Sequence, residues 1–242
     1  MKICVLKCDN APDKTIEKFG DYDKIYNTFL NIDNETKTIT FECHKNKFPQ
    51  KELINKNSEI DGFIITGSKH SSYDNFEWIK RLKNLIIDID NLKLKMVGIC
   101  FGHQIIADAL GGKVIINPNG WNIGVHKIYI NKNYKKKLDK LFDYNDVLYM
   151  QYIHKDIVSD VGKSNLEIFA YSNKIKNMGM IKKNHILTFQ GHPEYLPDMV
   201  KNLYMQRLNI IPPNIIKNVE KNLNNPIDRN VLSKGIIKFY KK

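Results

Sequence analysis

Long apolar runs are missing from this 242-residue chain. No stretch approaches the roughly 20 apolar residues of a membrane-spanning helix, so no membrane association is expected. A cleavable leader is not expected either. The start, MKICVLKCDN, breaks at Asp9 and Asn10 without a small-residue cleavage site and reads as a first strand. Cysteine is scarce. Cys4, Cys8, Cys43 and Cys100 form no C-x-x-C pair and no zinc spacing, so neither a metal nor a disulfide framework is expected. Free thiols fit a reducing, cytoplasmic setting. Acidic residues are also few, 26 against 38 Lys and Arg, a net charge of +12. The lysines are scattered, accompany abundant asparagine and are not interleaved with aromatics. They read as a solvated basic surface, with no nucleic-acid partner expected. No nucleotide-binding P-loop is present, and no cofactor is expected.

What is present is an alternation of short apolar runs and helical patterns. Lys2 to Lys7, Thr38 to Cys43, Gly62 to Thr66 and Leu94 to Ile99 read as strands. Between them lie a helical stretch opened by Pro12 and resumed through 22–30, a second over 76–89, and a third from His103 to Leu110 closed by Gly111-Gly112. In the second, Trp78, Leu82, Leu85, Ile86 and Ile89 share one stripe. Unbroken apolar strands alternating with helices imply a three-layer α/β fold, its mostly parallel central sheet covered on both faces. After Gly112 come short strand-like pieces, 113–116, 125–130, 147–150, 167–171, 177–181 and 185–189. These predict a small antiparallel addition. Helices follow from about residue 195, over 195–208, 213–222 and 228–240, and the whole of 1–242 reads as one domain.

Open α/β sheets carry their sites beyond the carboxyl ends of the strands. Two strand ends stand out. One is Gly98-Ile99-Cys100-Phe101-Gly102, an apolar strand running through glycine, cysteine and glycine into a helix. A hydrolase nucleophile elbow has these mechanics: glycines let neighbouring backbone pass, and the helix N-terminus favours thiolate. A cysteine there is also an ordinary core thiol, so a second observation is needed. It comes at Gln190-Gly191-His192-Pro193-Glu194. His192 and Glu194, two apart in backbone that Pro193 keeps extended, face the same way. Glu194 can accept from one imidazole nitrogen and leave the other for a thiol.

GICFGHQ with QGHPEY resembles the class I glutamine amidotransferase family, a flavodoxin-like fold with a Cys-His-Glu triad, and the likeness covers most of the chain. GFIITGSKHSSYD resembles its oxyanion loop, and 151–156 (QYIHKD) its substrate-side H-x-D segment, with Lys155 departing from the glycine of GMP synthase-type relatives. Within the superfamily the chain is most similar to stand-alone members related to the plant γ-glutamyl peptidases. The shared features are Ser68-x-His70, ICFGHQII, QGHPEY, and Pro226-x-Asp228-Arg229.

The resemblance implies a mechanism. Cys100 would attack a γ-glutamyl carbonyl, His192 would transfer the proton and Glu194 would orient the imidazole. Backbone N–H groups of Ser68 and Phe101 would form the oxyanion hole. Gly67, Gln104, His154 and Gly124 would help hold the glutamyl group. His70 and His103 are expected at the rim or in structural roles, and Trp121 with 71–74 around the pocket mouth. The implied activity is cysteine-dependent hydrolysis of a γ-glutamyl amide of glutamine or a glutathione-type conjugate. The alternatives are a glutaminase subunit supplying ammonia to a separate synthetase partner, and a non-catalytic binding protein on the same fold.

Overall fold

The computed structural model describes residues 1–32, 34–144 and 146–241; Asp33, Asn145 and Lys242 lie outside the described residues. The elements run β1 (Lys2–Lys7), α1 (Asp13–Phe19), α2 (Tyr22–Leu30), β2 (Lys37–Glu42), β3 (Gly62–Ile65), α3 (Glu77–Leu92), β4 (Met96–Ile99), α4 (Phe101–Ala109) and β5 (Lys113–Ile116). They continue with β6 (Asn122–Ile130), α5 (Lys135–Leu138), β7 (Val147–His154), β8 (Asp156–Asp160), β9 (Glu167–Tyr171), β10 (Gly179–Lys182), β11 (Ile186–Phe189), α6 (Pro197–Met205), α7 (Pro213–Asn222) and α8 (Arg229–Lys241). Among the described residues, no helix is long and apolar enough to cross a membrane.

A nine-stranded sheet has the order β2-β1-β3-β4-β11-β10-β9-β6-β7. The first five strands are parallel. From β11 onward every pairing is antiparallel. The antiparallel strands of the second half thus extend the main sheet itself. Among the described residues, only β5 and β8 stand apart, as a two-stranded antiparallel ribbon.

Strand periodicity explains why both faces are covered. Successive side chains point to opposite sides. Ile3 and Val5 pack with Ile25, Tyr26 and Phe29 of α2 and with α6 and α8. Cys4 and Leu6 pack on the other side with Trp78, Leu82 and Ile86 of α3 and with Phe101 and Ile105 of α4. Each fully buried large aliphatic contributes about 1.5–3 kcal/mol. These two clusters clamp the parallel strands, whose carboxyl ends carry Thr66-Gly67 (β3), Cys100 (β4) and Gln190 (β11) side by side.

Several boundaries move. β2 ends at Glu42, and Cys43 opens a 3₁₀ turn instead of closing the strand. α4 begins at Phe101, two residues ahead of the expected His103, because the whole change of direction is made at Cys100. β7 runs on to His154, and β8 (Asp156–Asp160) is a strand whose single apolar pair, Ile157-Val158, between polar ends does not announce it.

Candidate active site

Cys100 makes the turn from β4 to α4 in a single residue. Its φ of 54° and ψ of −101° lie in territory that side-chain-bearing residues seldom occupy. Such geometry costs on the order of 1–3 kcal/mol and persists only where its surroundings enforce it. Here they do. The Cys100 amide donates to the Phe189 carbonyl of β11 at 2.9 Å. A Cβ on Gly98 would lie 2.6 Å from the Gly102 carbonyl, and one on Gly102 2.3 Å from that of Ile65. Both flanking glycines are therefore spatial necessities. The result is a thiol 5% exposed at the N-terminus of α4, where backbone amides and the helix dipole favour negative charge.

His192 reaches the same place from the next strand. Its amide donates to the Gln151 carbonyl at 2.7 Å, tying the segment after β11 to β7. Its Nδ1 donates to Glu194 Oε1 at 2.8 Å, and its side chain also hydrogen-bonds Cys100. Burial alone would push the imidazole down. The charges of Cys100 and Glu194, with hydrogen bonds to both, outweigh it and raise His192 to about 10. The ring is thus held as a cation between Cys100 and Glu194.

Three neighbours fix this arrangement, and the motif spacing gave none of them a role. Tyr26 of α2 donates its hydroxyl to Glu194 Oε1 at 3.0 Å and also hydrogen-bonds the Gly67 backbone. Tyr195 lies flat on the imidazole, centroids 4.1 Å apart and planes 4° apart. Arg229 of α8 reaches the Glu194 carbonyl at 3.5 Å, adding positive potential behind the carboxylate. Tyr195 lies inside the QGHPEY run; for Tyr26, one helical tyrosine among several, no sequence signal existed.

A cleft of about 540 Å³ opens over Cys100, with Ser68, Gln104, Trp121, His154, Asp156 and Arg207 among its lining residues. Of the expected substrate contacts, Gln104 and His154 face it. Gln104 Nε2 donates to the Asp156 carbonyl at 2.9 Å and to Gln190 Oε1 at 3.2 Å. Both nitrogens of His154 are engaged: Nδ1 donates to the Asp156 carbonyl at 3.0 Å, and Nε2 accepts from Asn122 at 3.2 Å. Burial and the nearby His192 cation lower His154 to about 3 despite the Asp156 bond, so the ring is neutral.

The two glycines are elsewhere. Gly67 abuts the imidazole, where a Cβ would come 2.8 Å from His192 Cε1, so it makes room for the His192 ring. Gly124 is not among the cleft-lining residues. Its φ is +89°, and a Cβ there would meet Asn222 of α7 at 2.1 Å. His70 stands at the cleft rim, edge-on to Trp78. His103 points away, buried against Thr188 Oγ1 at 2.8 Å. Among the described residues no group of His, Cys, Asp and Glu could hold a metal ion.

A strained thiol beside a carboxylate-backed imidazolium is equipped for nucleophilic acyl transfer. The sequence profile described as "Glutamine amidotransferase class-I" matches residues 23–209. A glutamine amidotransferase-like protein of Schizosaccharomyces pombe is 30% identical over 98% of this chain and 97% of its own length. Gamma-glutamyl peptidase 2 of Arabidopsis thaliana is 34% identical over 74% of this chain and 66% of its own. The crystal structure of a Thermotoga maritima glutamine amidotransferase superposes with a TM-score of 0.71 at 16% identity, covering 100% of this chain and 96% of that one. The chain belongs to the class I glutamine amidotransferase family.

Proposed function

We propose that the protein hydrolyses γ-glutamyl amide bonds through a Cys100 thioester. The observation that carries this reading is the His192 imidazole hydrogen-bonded to both Cys100 and Glu194. The Cys100 thiolate adds to the γ-carbonyl. The backbone N–H groups of Ser68 and Phe101 receive the oxyanion, the latter being an amide at the start of α4 without an intrahelical partner. The tetrahedral adduct collapses, the C–N bond breaks, and His192 gives its proton to the departing amine. Water then enters, His192 takes its proton, and the thioester breaks to glutamate and free Cys100. Gln104 and His154, which line the cleft, would hold the acyl part of the substrate. Resemblance to γ-glutamyl peptidases supports a peptide-type substrate.

The test is glutamate release from glutamine and from a γ-glutamyl peptide, with Cys100→Ala as the blank. Turnover is expected to fall at least about a thousandfold in the variant. Slow turnover of both substrates that ignores Cys100→Ala would favour a binding protein. Glutaminase activity appearing only when a synthetase is added would favour the ammonia-supplying role.

A further inference from the structure

His192 must protonate the departing amine, so the leaving group has to sit on the His192 side of Cys100. A recess of about 20 Å³ lies there, bounded by Tyr22, Ser68, Lys69, His192 and Arg207 together with the thiol. Ser68, Lys69 and Arg207 line both this recess and the larger cleft, whereas Gln104, His154 and Asp156 line the cleft alone. Lys155 lines the cleft alone as well, so the cations that reach the leaving-group side beside His192 are Lys69 and Arg207. Lys69 is answered by Asp9, 2.9 Å away. Arg207 is not answered. It is half-buried in the turn after α6, donates to the Leu203 carbonyl at 3.5 Å, and has no ion-pair partner among the described residues. A planar guanidinium beside a nucleophile, lacking a carboxylate of its own, is a receptor for one.

We propose that Arg207 selects leaving amines that carry a carboxylate, so that the site prefers γ-glutamyl peptides with a free terminal carboxylate over neutral amides. This rests on the hydrolase reading above and assigns the specificity that reading leaves open. γ-Glutamylglycine and γ-glutamylglycinamide differ only in that charge, and kcat/KM for the two is measured in the wild type, Arg207→Gln and Arg207→Lys. The wild type is expected to favour the carboxylate by about tenfold, as one charge-assisted contact gives. The ratio should fall to about 1 in Arg207→Gln, be partly kept by Arg207→Lys, and shrink as salt is added. A wild-type ratio near 1, or a ratio intact in Arg207→Gln, overturns the proposal. Calorimetric binding of both peptides to Cys100→Ala, with and without Arg207→Gln, separates the two claims. Carboxylate-selective binding that depends on Arg207, without turnover in the wild type, keeps this inference and removes the hydrolase; unselective binding removes this inference.

Discussion

Glu194 Oε1 takes two hydrogen bonds, one from the His192 imidazole at 2.8 Å and one from the Tyr26 hydroxyl at 3.0 Å. Its carboxylate is fully buried, so its charge acts on the imidazole through little screening. The pH dependence follows. Burial pulls His192 down, and the thiol and Glu194 together carry it up to about 10. The imidazolium therefore survives into alkaline solution, and the high-pH limb of kcat/KM reports its loss. Glu194→Gln removes one of the upward causes and leaves burial in place, so that limb moves to lower pH. A limb that stays put in a pH–rate comparison of the two proteins would mean Glu194 does not set the base. At this scale the meeting of Cys100, His192 and Glu194 was legible because they sit in glycine- and proline-marked turns. Tyr26 and Arg207 were not, because only long-range packing brings α2 and the turn after α6 to the thiol.

At the scale of elements, the decisive contact is α4 lying against the end of β3. Gly102 brings the helix so close to Ile65 that an added Cβ would stand 2.3 Å from a backbone oxygen, which cannot swing aside. Gly102→Ala is expected to destabilise the fold by about 1–3 kcal/mol, read as a lower denaturant midpoint at unchanged m-value. An unshifted midpoint would mean that α4 has room to move. The parallel half of the sheet was readable because its strands are apolar throughout and end in turn residues. The antiparallel half was less so. β8 carries Asp156, Ser159 and Asp160, with two of its five residues exposed, and its partner β5 is half exposed. Such a ribbon leaves little hydrophobic signal. That β10, β9, β6 and β7 would continue the main sheet is a matter of pairing partners, which composition and periodicity do not encode.

Across the whole molecule, four thiols divide by place. Cys4, Cys8 and Cys43 are wholly enclosed, and burial pushes Cys4 up to about 12 and raises Cys8 and Cys43 as well. Cys100 alone lines the cleft. An electrophilic glutamine analogue should label Cys100 alone in the native protein and fail to label it in protein denatured beforehand, whereas iodoacetamide should reach all four cysteines after denaturation. Mass spectrometry finding label spread evenly over native protein would contradict an activated Cys100. The adjacency of β4 and β11 has a further consequence, for the order in which the molecule is made. β4 leaves the ribosome with one edge unpaired, and the strand that fills it is among the last to emerge. Until it docks, the nascent chain holds Cys100 without His192 and an open strand edge. The same hydrogen-bonded closure that completes the sheet therefore brings His192 to Cys100, and an unfinished chain carries that thiol without its imidazole.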